Sequence, residues 1–243
     1  MDKQLQTWSI IIFAFNEDNS IGKVIKQSLE ALKELNPDHS ELIIVNDGST
    51  DKTEEEIRTY LPNDKILVIN HPTNQGIGQA LLSGYRKARF ENICAIPADG
   101  QFNTQELLPF SVIPPQTIIS FYRTQKIRYT LFRKSLSYFN KFLNRYLLGI
   151  KLRDVNWIKI YKKEFFDHIS PVLTSSLVES EICAKMLKNK YKVVEVPSTY
   201  HPRDGGVSKG ASIKIIFLAF IELIKLYFNL KFTNRNKKEN DTL

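Results

Sequence analysis

Apolar residues in the first half of the chain fall in short runs, separated by longer stretches with helical spacing. The runs Ser9–Phe13, Glu41–Val45, Lys65–Ile69, Asn92–Pro97 and Thr117–Phe121 are rich in Ile and Val and end in polar turns, so each predicts a strand. Between them, Ile21–Leu35, Thr53–Leu61, Ile77–Arg89 and Gln105–Phe110 repeat apolar positions every three to four residues and predict helices. Short, wholly apolar strands alternating with helices predict an α/β fold, with a mostly parallel sheet covered on both faces. Asp51 ahead of Thr53-Glu54-Glu55-Glu56 marks a helix start, with a side-chain acceptor for free N–H groups and acids at the positive end of the dipole.

After Arg123 the pattern changes. Phe132, Leu136, Phe139, Leu143 and Tyr146 predict a long amphipathic helix, and Arg133 and Ser137, four apart, share another of its faces. A strand over Trp157–Tyr161, a helix over Ser176–Lys188 and a strand over Lys192–Val196 follow. The Pro197–Lys209 loop reads as too polar to be buried. Residues 211–230 form an apolar helix with Lys214, Glu222, Lys225 and Asn229 on one narrow stripe. Its three charges argue against spanning a bilayer, so it is expected to lie in the membrane interface. The basic tail 231–243 is read as disordered.

Composition narrows the class. At 243 residues, 42% hydrophobic and 25% charged, the chain can bury a full core. Its net charge of +8 is concentrated: Arg123 to Lys163 holds twelve basic residues and one acid, Asp154. An anionic partner is therefore expected in that segment. No aromatic-interleaved recognition motif accompanies the charge, so nucleic acid is not expected. Cys94 and Cys183 read as two reduced core thiols, and the four histidines lack metal-ligand spacing. Met1-Asp2-Lys3 leads into a polar stretch rather than a signal peptide, so a cytoplasmic location peripheral to the membrane is expected.

Three turns carry the candidate chemistry, each following an apolar run: Asn46-Asp47-Gly48-Ser49-Thr50-Asp51, Asn74-Gln75-Gly76-Ile77-Gly78-Gln79-Ala80 and Ala98-Asp99-Gly100-Gln101. Ligands of open α/β sheets bind outside the carboxyl ends of the strands, where these turns fall. Gly76 and Gly78 open a helix, where backbone N–H groups favour an anion; close packing of that helix on the sheet is the plainer use of the same glycines. Together with Ile10-Ile11-Ile12-Phe13-Ala14-Phe15-Asn16-Glu17, the ordered motifs resemble family 2 glycosyltransferases of GT-A fold, in the branch of dolichyl- and polyprenyl-phosphate sugar synthases. The resemblance spans roughly residues 8 to 210.

That resemblance implies roles. Ala14, Phe15, Glu17, Asp47 and Gly76 would bind the nucleotide-sugar donor. Asp99 and Gln101 would hold Mg²⁺ or Mn²⁺ against its diphosphate. The usual Asp-x-Asp motif has lost its first carboxylate to Pro97, and Phe13 and Phe15 replace the common Pro and Tyr. Arg203 would cover the diphosphate, with Ser208 and Lys209 matching an Arg-x-x-Gly-x-Ser-Lys pattern up to one residue of spacing. Arg123, Arg133 and Ser137, with Ser208 and Lys209, would bind a polyprenyl phosphate at the membrane surface, since an Arg fork grips phosphate bidentately. Asp154 would lie near the reacting centre, as a base for a sugar-hydroxyl acceptor or as an orienting partner for Arg or Lys beside a phosphate acceptor. Catalysis would fall to Asp99, Asp154 and Arg203. The expected organisation is a nucleotide-sugar half (1–122), an acceptor half (123–210), the interfacial helix and the tail. The rivals are transfer to a sugar hydroxyl of a lipid-linked glycan or capsule, and a nucleotide-sugar-binding protein without turnover, motivated by Pro97.

Overall fold

The computed structural model describes residues 5–124, 138, 141–142, 144–169, 171–175, 177–203, 221–222, 224 and 226–228. Seven strands form one sheet: β1 (Trp8–Ala14), β2 (Ser40–Asn46), β3 (Ile66–Asn70), β4 (Asn92–Pro97), β5 (Thr117–Arg123), β6 (Lys159–Lys162) and β7 (Lys192–Ser198). Their order is β3-β2-β1-β4-β6-β5-β7. All neighbours run parallel except β6, which is antiparallel to both β4 and β5. The predicted mostly parallel sheet is thus present, with one reversed strand at its middle.

Helices cover both faces, as the doubly apolar strands require. Alternate residues of each central strand serve different cores. Ile10 and Ile12 join α1 (Ile21–Leu35) on one side through Ile21, Val24, Ile25 and Leu32. Ile11 faces α3 (Ile77–Lys87) on the other side through Leu81, Leu82 and Tyr85. Each such Ile or Leu removed from water stabilises the fold by about 1.5–3 kcal/mol before entropy is counted. Also on the α3 face are α4 (Lys163–His168), which has no counterpart in the sequence reading, and α5 (Val178–Lys188). The segment Thr104–Phe110 is a 3₁₀ helix rather than an α-helix, with Asn103 accepting from the Gln105 N–H at 3.1 Å.

The α2 helix is shorter than its pattern, Thr53–Arg58. Asp51 supports its start, accepting the Thr53 N–H at 3.0 Å. Cys94 and Cys183 are buried free thiols, and burial pushes Cys183 up to about 11.

Of the amphipathic helix predicted over 132–146, most lies outside the described residues. Tyr146, placed on its apolar side, is in fact 69% exposed, as are Tyr138 (77%) and Phe142 (55%). Asn144 and Leu148 face inward instead, and Tyr146 packs on Phe142 with ring centroids 4.4 Å apart. Near the C-terminus, Leu226 is buried against Leu148, Ile150 and Leu177, while Ile224 and Phe228 are exposed. Most of the predicted interfacial helix 211–230, and the tail 231–243, lie outside the described residues. Among the described residues no helix is long and apolar enough to cross a membrane.

Candidate active site

The site grows from the register of the sheet. Ala14 pairs with Asn46 and Phe13 with Pro97, so the chains leaving β1, β2 and β4 emerge side by side. Those exits carry Glu17, Asp47 and Asp99. The loops lock to each other: the Glu17 N–H donates to Thr53 Oγ1 at 2.8 Å, the Thr50 N–H to Asn16 Oδ1 at 2.8 Å, and the Asp47 N–H to Ala14 O at 2.8 Å. Asn16 adopts a positive φ of 56°, a conformation Asn tolerates better than most residues.

Two carboxylates feel the charge of one guanidinium here. Arg203 forms an ion pair with Glu17, which also accepts from Ser20 Oγ at 3.3 Å. Burial raises the Glu17 carboxyl above its ordinary range; Arg203 opposes that shift and the Asp99 charge adds to it. Burial raises Asp99 too, against the pull of the Gln101 N–H (3.1 Å), Arg203 and Arg123. Gln101 donates its side-chain N–H to the Tyr200 hydroxyl, which leaves the amide oxygen as its acceptor, and its backbone carbonyl accepts the His201 N–H at 3.1 Å. The loop expected to be too polar for burial therefore folds inward at Arg203, because Glu17 and Asp99 supply the counter-charge.

Beside this cluster, Arg123 at the end of β5 meets Asp154. Its Nε and Nη2 donate to the two carboxylate oxygens at 2.7 and 3.1 Å. The guanidinium also lies 4.8 Å from the centroid of the Trp157 ring and 6.0 Å from that of Tyr200, within cation–π range. Of the two roles open to Asp154, the orienting one matches this geometry. Arg133, Ser137, Ser208 and Lys209 lie outside the described residues.

The residues from 9 to 169 match the family model described as "Glycosyl transferase family 2". The chain belongs to glycosyl transferase family 2. A dodecaprenyl-phosphate galacturonate synthase of Rhizobium johnstonii is 25% identical over 243 residues, covering 93% of this chain and 68% of that one. An undecaprenyl-phosphate 4-deoxy-4-formamido-L-arabinose transferase of Photorhabdus laumondii is 26% identical, with 90% and 67% covered. A dolichyl-phosphate β-glucosyltransferase of Trichomonas vaginalis is 37% identical over 99 residues, 38% of this chain and only 30% of that protein. The chain thus spans between about a third and two thirds of these relatives. Glucosyl-3-phosphoglycerate synthase of Mycobacterium tuberculosis, solved with UDP, superposes with a TM-score of 0.67 at 15% identity, over 91% of this chain and 80% of that one. That likeness concerns the fold, which is GT-A.

Within this family 2 frame, two of the expected donor residues, Asp47 and Gly76, bond to each other. Asp47 is buried: its Oδ1 and Oδ2 accept the Gln75 and Gly76 N–H groups at 2.9 Å each, and His71 Nδ1 lies 2.6 Å from Oδ1. The Gly76 N–H is thus donated to Asp47 in this structure. Gly78 serves close packing, though not on the sheet. A Cβ there would lie 2.1 Å from the carbonyl oxygen of Thr174, so only glycine admits that segment. Ala14 is buried and Phe15 half-buried beside Glu17.

Several contributors escaped the sequence reading: His71, which also reaches Ser83 Oγ at 2.9 Å, and Trp157 and Tyr200, which flank Arg123. Spacing gives no sign of them, because their partners are distant in the chain. Among the described residues no three His, Cys, Asp or Glu converge on a metal position. The chemistry of the place still fits a hard cation. Glu17 and Asp99 are oxygen donors whose mutual repulsion and burial are relieved by positive charge, and such ions complete their shell with phosphate and water.

Proposed function

We propose that the protein is an inverting glycosyltransferase that moves a sugar from a UDP- or GDP-sugar to a polyprenyl phosphate at the cytoplasmic membrane face. The observation that carries this reading is the division of the site into two adjoining charge clusters. Glu17, Asp99, Gln101 and Arg203 form one; the Arg123–Asp154 pair on its aromatic bed forms the other. Polyprenyl- or dolichyl-phosphate in the names of the relatives supports the acceptor class, and the mycobacterial structures solved with UDP and Mn²⁺ support the donor class.

In this reading the donor diphosphate takes Arg203 from Glu17, which frees that carboxylate for the nucleoside, with Ala14 and Phe15 beside it. Asp99 and Gln101 would hold Mg²⁺ or Mn²⁺, which when bound would supply positive charge for the departing diphosphate. Arg203 adds to that stabilisation, the largest single contribution in such transfers. Arg123 receives the acceptor phosphate, aided by Arg133 and Ser137. Asp154 keeps the guanidinium aimed, and a phosphate acceptor is already anionic, so no base is needed. The bond from the anomeric carbon to the diphosphate breaks as the bond to the acceptor oxygen forms, in one displacement. Ser208 and Lys209 join Arg123 on the acceptor side.

The exposed Tyr138, Phe142 and Tyr146, four residues apart on a helical stretch, and the outward Ile224 and Phe228 support contact with a membrane surface.

A thermal-shift screen of nucleotide sugars with and without Mn²⁺ tests the donor half. A ligand at a hundred times its Kd stabilises the folded state by about 2.7 kcal/mol. One nucleotide class should raise the melting temperature, more so with Mn²⁺. No response to any UDP- or GDP-sugar would overturn the reading.

A further inference from the structure

Behind the Arg123–Asp154 pair lies a cationic side chain that the proposed reaction does not use. Lys159 on β6 is fully buried, and its Nζ spends its donors on three acceptors: Val155 O at 2.5 Å, Trp157 O at 3.0 Å and Glu179 Oε2 at 3.1 Å. Glu179, on α5, also accepts from the Tyr161 hydroxyl at 2.6 Å and the Tyr85 hydroxyl at 2.7 Å. An ammonium shut away from water is costly unless paired and hydrogen-bonded, and here it is both. Burial, the largest single influence, works against the charged form, but Glu179, Cys183 and Asp154 together outweigh it and Lys159 is held above its usual range.

The carbonyls that Lys159 grips belong to the turn between Asp154 and β6. That turn supplies Asp154, which fixes Arg123 through two hydrogen bonds, and Trp157, whose ring underlies the same guanidinium and whose Nε1 donates to Ser198 Oγ at 3.1 Å. Lys159 touches neither Arg123 nor the open site. Its influence runs through the backbone of residues 155–157 and through its charge, which acts on Asp154.

We infer that Lys159, anchored by Glu179, is a positioning residue for the acceptor side of the site: it holds the 154–157 turn so that Asp154 and Trp157 present Arg123 to an acceptor phosphate. The inference rests on the proposed role of Arg123, and the experiment separates the two.

The test uses the full chain in a Trp8→Phe background. Trp8 is buried in the core with its indole N–H unpartnered, so phenylalanine is a mild replacement, and Trp157 becomes the sole indole. Citronellyl phosphate probes the acceptor side through Trp157 emission. UDP or GDP, whichever stabilises the parent, probes the donor side by calorimetry. Lys159→Met is expected to shift Trp157 emission and weaken citronellyl phosphate binding about tenfold or more, with nucleotide affinity within about threefold of the parent. Lys159→Arg, which keeps a cation, should recover most of the loss. Should Lys159→Met not fold, Glu179→Gln decides by the same readouts, since it keeps an acceptor oxygen for the network while removing its charge, and the same selective loss is expected. Unchanged emission and acceptor binding in the deciding variant, or equal losses on both sides, would overturn the inference. If Arg123→Ala itself leaves citronellyl phosphate binding intact, the acceptor reading fails, and the inference with it. If Arg123→Ala weakens binding and the deciding variant does not, the inference fails alone.

Discussion

The turns at Asp47-Gly48 and Asp99-Gly100 are built alike and do opposite work. Each follows a buried strand, and each places its glycine at positive φ, 67° and 73°. Asp47 is satisfied from within, holding two backbone N–H groups and His71, so it ties the exit of β2 to the start of α3. Asp99 accepts one backbone N–H, sits beside a second carboxylate, and is pushed up by burial. One carboxylate already has three partners within the chain. The other is uncomfortable without a ligand. An Asp–Gly turn at a strand end is therefore a position, and its unmet hydrogen bonds and charge decide whether it is architecture or chemistry.

The largest expected effect that tests this contrast is on turnover. Asp99→Asn keeps the turn and removes the charge, so transfer should fall roughly 10²–10³-fold while the chain stays folded, and EDTA should depress the parent far more than the variant. Activity near the parent's in Asp99→Asn, unaffected by EDTA, would erase the distinction. Asp47→Ala should act on stability instead. It orphans two N–H groups and the imidazole, at a cost of about 2–4 kcal/mol, read as a lower urea midpoint. An unshifted midpoint would show that Asp47 is not the tie described.

Smaller in scale, Arg123→Ala should raise the KM for the polyprenyl phosphate roughly ten- to a hundredfold, as loss of a charge-assisted contact of about 1.5–3 kcal/mol implies, with the donor KM little changed. The reverse split would exchange the two half-sites. The finest test is pH. Asp99 titrates higher in the folded chain than in the unfolded one, so the folded form holds the extra proton. Its burial cost is absent below the ordinary carboxylate range and grows as pH rises through the raised value. Asp99→Asn should therefore melt slightly above the parent at neutral pH, and that advantage should vanish on acidification.

The first four strands and their helices were legible in the sequence because they are local patterns: an apolar run, a turn, an amphipathic repeat. So was the grouping of Glu17 and Asp99, since motifs at the ends of parallel strands must converge. The fate of Asp47 was not legible, because its partners lie at positions 71, 75 and 76 and depend on how a loop closes. Nor was the Arg203–Glu17 pair, whose members are 186 residues apart. The reversed strand β6 reads as an ordinary short apolar run, and nothing in its periodicity says which way it points. Lys159 did leave a trace: a lysine between two isoleucines of a strand buried on both faces needs an internal partner.

That reversed strand has a mechanical consequence. It is four residues long, pairing with β4 over Asn92–Lys162, Ile93–Tyr161 and Cys94–Ile160, and with β5 over Ile119–Ile160 and Ser120–Lys159. Asp99 hangs from the β4 side of this seam, while Arg123 and Arg203 hang from the β5 and β7 side. Opening the seam parts Asp99 from Arg123, and Arg203 from its donor-side partners Glu17 and Asp99, even with every other strand still paired. Amide protons along β6 therefore report on the working geometry of the site. Their exchange in deuterated water should slow when a ligand bridges the join, as the donor diphosphate would between Asp99 and Arg203, and it should stay unchanged when a ligand grips one bank alone.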